Sequence, residues 1–164
     1  MPNLIKNAQV STDEWVFIEA SDGTDALPAG KLIVPLQRWI DQQEQLLARG
    51  EEIGIWLDSS ESPELIGDQL SKLALIAVNF PAFTDGRGFS YAQILRGRLG
   101  FTGELRAIGD VGLDQIFFMK RCGFDTYLLP DDKNVEHAIS ALNSFSDTYQ
   151  AAQDQPVPAF RRIG

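Results

Sequence analysis

From Ile53 onward the chain alternates short apolar runs with amphipathic stretches, and few architectures accommodate that rhythm. Ile53-Gly-Ile-Trp-Leu57 reads as a strand, and Ser62-Pro-Glu-Leu-Ile opens a helix with a capping serine and a proline in its first turn. Leu73-Ala-Leu-Ile-Ala-Val78 is a continuous apolar run suited to a strand buried on both faces. Helical spacing returns over Phe89 to Leu99, a strand over Glu104 to Ile108, a helix over Leu113 to Arg121 and a last strand over Asp125 to Leu129. Val135 to Tyr149 closes the pattern as a helix with Val135, Ala138, Ile139, Leu142 and Phe145 on one face. Repeated strand and helix units of this kind are parallel βαβ units joined by right-handed crossovers. The leading expectation is an α/β fold in a three-layer sandwich, with a partial β/α barrel as the alternative, because both give the same local pattern.

Upstream, Trp15-Val-Phe-Ile-Glu-Ala20 is a short N-terminal β segment followed by the turn residues Ser21-Asp-Gly-Thr-Asp. Lys31-Leu-Ile-Val-Pro35 is a second short strand, and Leu36, Trp39, Ile40, Gln43, Leu46 and Leu47 recur at helical spacing before Gly50. At 164 residues one core suffices, so residues 1–152 are expected to form a single domain and 153–164, with Pro156 and Pro158, a loose tail. No apolar run has signal-peptide or membrane-span length, which places the chain in the cytoplasm and away from membranes. One cysteine, Cys122, and one histidine, His137, leave Cys/His metal sites without ligands. The net charge of −9 argues against nucleic acid, whose phosphates require a basic face.

That charge is uneven. Residues 80–123 carry six basic and four acidic side chains and are +2, while the rest of the chain is −11. In parallel α/β folds ligands gather at the carboxyl ends of the strands. Four such ends carry polar punctuation: Asp58-Ser-Ser-Glu, Asn79 to Gly88, Gly109-Asp110 and Pro130-Asp-Asp. In the Asn79 to Gly88 loop, Gly86 and Gly88 flank Arg87, which lets the backbone approach a ligand and lets the guanidinium grip an oxyanion. A plain turn in which Asp85 pairs with Arg87 explains the same residues.

Alternation puts Glu104 and Arg106 on one strand face, opposite Leu105 and Ala107. A guanidinium inside an apolar strand needs a partner, either an internal carboxylate or a ligand. The candidate anion rim is therefore Asp85, Gly86, Arg87, Gly88, Arg106, Asp110 and Asp114. Carboxylates of Asp58, Asp85 and Asp110 have the oxygen ligands for Mg²⁺, but single aspartates more often cap helices, and no metal is assigned. Cys122 sits at a helix end between Arg121 and Gly123, and reads as a packed structural cysteine or as a redox thiol. No segment supplies a recognisable flavin, haem or cluster motif, and neither a cofactor nor catalytic residues are assigned.

Phe80-Pro-Ala-Phe-Thr-Asp-Gly-Arg-Gly-Phe-Ser90, Leu95-Arg96, Gly103-Glu-Leu-Arg-Ala-Ile-Gly-Asp110, Asp114-Gln115 and Arg121-Cys-Gly-Phe-Asp125 together resemble the bacterial family known as domain of unknown function 934. The resemblance runs from about Leu32 to Gln150. Members of that family are typically encoded beside the sulfite reductase haemoprotein and labelled as oxidoreductases of sulfite reduction. The resemblance thus implies a pathway, assimilatory sulfate and sulfite reduction, and no established catalytic residues. Two functions follow as expectations. One is an accessory or binding protein that works with a sulfite reductase component. The other is an enzyme acting on a small sulfur or phosphate oxyanion at the Arg/Asp rim.

Overall fold

The computed structural model describes residues 3–21, 23–81 and 86–144. Six parallel strands lie side by side in chain order: β3 (Trp15–Phe17), β4 (Lys31–Pro35), β5 (Ile53–Leu57), β6 (Leu75–Phe80), β7 (Glu104–Gly109) and β8 (Thr126–Leu128). An N-terminal hairpin, β1 (Leu4–Lys6) and β2 (Gln9–Ser11), adds to the β8 edge antiparallel, which gives the order β2-β1-β8-β7-β6-β5-β4-β3. The hairpin turn is Asn7-Ala8, both at positive φ (53° and 64°), the backbone of the tight two-residue turn that matches strand twist.

Helix α1 (Leu36–Leu47) follows β4, a 3₁₀ helix (Pro63–Lys72) follows β5, and α2 (Arg87–Gln93) follows β6 and continues into a π turn (Ile94–Arg98). Helices α3 (Ile116–Cys122) and α4 (Val135–Ser144) follow β7 and β8. Ser62 caps the 3₁₀ helix as its sequence implies, its hydroxyl accepting from the Glu64 N–H at 3.4 Å, and Gly67 at φ 82° interrupts it.

Strand order decides between the two architectures. A three-layer sandwich needs a reversal in strand order, so that successive right-handed crossovers place helices on both faces. Here the order never reverses, and every helix lands on one face. Trp39, Ile66, Tyr91, Leu95, Met119 and Leu142 from the helices share one core with Leu32, Val34, Ile55, Ile76, Val78, Leu105 and Tyr127 from alternate strand positions. The sandwich is therefore not formed, and the mixed sheet is a curled half-barrel.

A chain-length argument shows how far it curls. Only Thr12, Asp13 and Glu14 join β2 at one sheet edge to β3 at the other. Seven strand spacings in a flat sheet would separate those edges by about 34 Å. Four Cα steps reach about 14 Å at most. The helix-free face thus becomes an interior, and Ile33, Leu75, Ala77 and Ile108 are buried there against Trp15, Trp56 and Leu128. Among the described residues no helix is long and apolar enough to cross a membrane.

Candidate functional site

The carboxyl ends of the parallel strands form the rim where the polar loops were expected to meet. Asp58, just past β5, accepts from Asn79 Nδ2 (3.1 Å) at the end of β6, while its own N–H donates to Glu61 (2.8 Å). Arg87 Nη1 donates to the Ser59 carbonyl at 3.3 Å, and the Tyr91 hydroxyl donates to the same oxygen at 2.7 Å. Asp110 is tied to β6 through its N–H and the Phe80 carbonyl (2.8 Å), with its carboxylate exposed. Asp58, Arg87 and Asp110 thus stand on neighbouring strand ends. Asp114 is exposed just before α3, and Asp85 lies outside the described residues. A small cleft of about 150 Å³ beside this rim is lined by Pro35, Arg38, Asp41, Trp56, Asp58 and Glu61. Arg38 is buried and held by Asp25 through its carboxylate (2.8 Å) and carbonyl (2.7 Å).

The two glycines beside Arg87 differ. A Cβ at Gly88 would lie 2.6 Å from the Phe80 ring, so this glycine seats α2 on the core. A Cβ at Gly86 would meet open space. Gly109, at φ 87°, would drive a Cβ to 2.4 Å from the Asn79 side chain and the Phe80 carbonyl, so it lets β7 end tightly against β6.

Arg106 is not part of that rim. Its side chain, 2% exposed, runs toward the amino ends of the strands and donates to Glu104 (3.0 Å) and Asp13 (3.2 Å). Lys6 adds a second contact to Glu104 (3.2 Å), and Lys31 bridges Glu14 (2.9 Å) and Glu52 (3.3 Å). These groups surround a cleft of about 320 Å³ at the amino-terminal mouth of the curled sheet, with Trp15 in its wall. The sequence places five of them at or just before strand starts, and attention to the carboxyl ends alone passes over them. Lys31 and Glu104 open β4 and β7, Glu52 precedes β5, and Asp13 and Glu14 precede β3.

Arg96 and Cys122, also within residues 80–123, are held inside the fold. Arg96 donates from Nε to the Gly123 carbonyl (3.0 Å), from Nη1 to the Phe101 (2.9 Å) and Gly103 (2.8 Å) carbonyls, and from Nη2 to Asp125 (3.3 Å). Asp125 accepts from the Leu105 N–H (3.1 Å) and the Thr126 hydroxyl (2.9 Å), and burial pushes its carboxyl above the usual range. Cys122 is buried, with Gln93 donating to its Sγ at 3.8 Å, and burial raises the thiol, which opposes redox reactivity. His137 is exposed near the start of α4. Among the described residues no group of three or more His, Cys, Asp or Glu side chains could hold a metal ion.

A family model described as a bacterial protein of unknown function (DUF934) matches residues 54–160, nearly two thirds of the chain. The chain belongs to the DUF934 family. Its matched part begins in β5, later than the resemblance at Leu32, and contains β6, β7 and β8 with the Arg96 clamp and the rim residues Asp58, Arg87 and Asp110. The DUF934 match does not include β1 to β4, which supply Lys6, Trp15 and Lys31 to the amino-terminal mouth. No curated protein matches the chain.

Proposed function

We propose that this chain is an accessory binding protein of assimilatory sulfite reduction, docking through its carboxyl-end rim on a basic surface of a sulfite reductase component. The pathway is what the DUF934 resemblance implies. One structural observation carries the binding role. The rim presents the carboxylates of Asp58, Asp110 and Asp114 to solvent, while Arg87, itself exposed, is engaged on the Ser59 carbonyl and the buried Arg38 on Asp25. An acidic rim on a chain of charge −9 favours a basic protein face over a small anion.

The test is direct binding of the purified chain to purified sulfite reductase haemoprotein and to its electron-donor component. Saturable binding to one of them, weakened by salt and slowed in association by Asp110→Lys with Asp114→Lys, is the expected result. Absence of binding to either component overturns the reading. The oxyanion-enzyme alternative is examined in parallel by melting the chain with sulfite, sulfate and adenylyl sulfate. The docking reading expects no stabilisation by any of them.

A further inference from the structure

The amino-terminal mouth is a second polar site, distinct from the rim and independent of the docking reading. Its charges fall on two walls. On one, Lys6 and Arg106 face Asp13 and Glu104, two cations against two anions. On the other, the single ammonium of Lys31 lies between the carboxylates of Glu14 and Glu52.

The first wall is neutral with donors in surplus. Arg106 is almost wholly buried, and its Nε–H has no hydrogen-bond partner among the described residues, a costly state for a charged group. Lys6 has three N–H donors, and its ion pair with Glu104 occupies one of them. The second wall carries an extra negative charge and has carboxylate oxygens in surplus.

We propose that this cleft binds a small zwitterion, a molecule carrying one carboxylate and one ammonium group, such as a free α-amino acid. The ligand's carboxylate is held by Lys6 and Arg106, its ammonium by Glu14 and Glu52, and its apolar part lies against Trp15. A simple anion would meet the uncompensated carboxylate of the second wall. A simple cation would leave the Arg106 Nε–H without an acceptor. A neutral polyol would offset neither. A zwitterion satisfies both walls while adding no net charge to a partly buried site. The cleft, at about 320 Å³, is at the small end of small-molecule pockets.

The experiment is calorimetric titration of the full chain with a panel of neutral α-amino acids, beside acetate, methylamine and glucose. At least one amino acid is expected to bind saturably at one site per chain, with acetate and methylamine weaker by at least about tenfold, as expected when one charge-assisted contact set is removed. Glu52→Gln and Lys6→Gln alter exposed members of the ring. Each is expected to keep the far-UV spectrum and melting temperature and to weaken binding by about tenfold. The proposal is overturned if no amino acid binds, if acetate or methylamine binds as tightly, or if both variants bind unchanged.

Discussion

Arg96→Met removes the guanidinium that ties together the end of α3, the loop before β7 and the start of β8, while keeping much of the apolar stem that packs there. Three carbonyls and one carboxylate lose a charged donor in a site where Arg96 is only 19% exposed. Hydrogen bonds to charged groups contribute about 1.5–3 kcal/mol each when buried, less where water can replace the donor, so a loss of about 3 kcal/mol is expected. With a urea slope of about 2 kcal/mol/M, the midpoint falls by about 1.5 M. Arg96→Lys is expected to recover little, because a single ammonium on a longer flexible stem does not reproduce the planar fork.

Asp125 adds a pH signature to this variant. Burial raises its carboxyl above 3.8, and the Arg96 charge opposes that rise, so removing Arg96 raises it further. A raised carboxyl gives stability that is present below 3.8 and lost as pH climbs through the folded value. Arg96→Met should therefore recover part of its lost stability on acidification from neutrality, and adding Asp125→Asn should abolish that recovery. A midpoint shift below about 0.5 M, or equal stability of the Lys and native chains, refutes the clamp.

Gly88→Ala is expected to destabilise by about 1–3 kcal/mol through overpacking on Phe80, whereas Gly86→Ala leaves the melting temperature unchanged; equal effects would contradict the packing role. Asp25 is held below the ordinary 3.8 by the Ser21 hydroxyl first and Arg38 second, so its contribution is full above that value and lost as pH falls through the lowered one. Asp25→Asn should accordingly flatten the acid limb of a stability-versus-pH curve, and an unchanged limb would count against the Arg38 anchor. Cys122 should react with a thiol reagent at neutral pH only after unfolding, which stopped-flow absorbance with and without urea measures.

The parallel strands from β4 to β8 were readable because each combines an apolar run with a polar punctuation mark, and helix α1 because Trp39 and Leu46 keep helical spacing. The sense of the layering was not readable. Local alternation is identical whether crossovers advance in one direction or reverse, and only the neighbour relations of β3 to β8 separate the two cases. The β1 and β2 hairpin escaped notice because three-residue strands carry almost no periodicity and Ala8 is an unusual residue at positive φ. At the site, Arg106 was rightly singled out as a guanidinium needing a partner. Its direction along β7 was not legible, since alternation gives the face of a strand and not the end toward which a long side chain leans. Asp13, the carboxylate it meets, is 93 residues away in sequence.

The three residues between β2 and β3 behave as a drawstring on an open cylinder. That cord is pinned at two points, Asp13 to the buried Arg106 and Glu14 to Lys31, so a change in its length disturbs those ion pairs as well as the spacing of the edges. Shortening it would pinch the charged opening and lengthening it would let the lips part, which couples aperture to the pairing of the buried Arg106. A chain trimmed back to the family's matched stretch would have no hoop to draw at all.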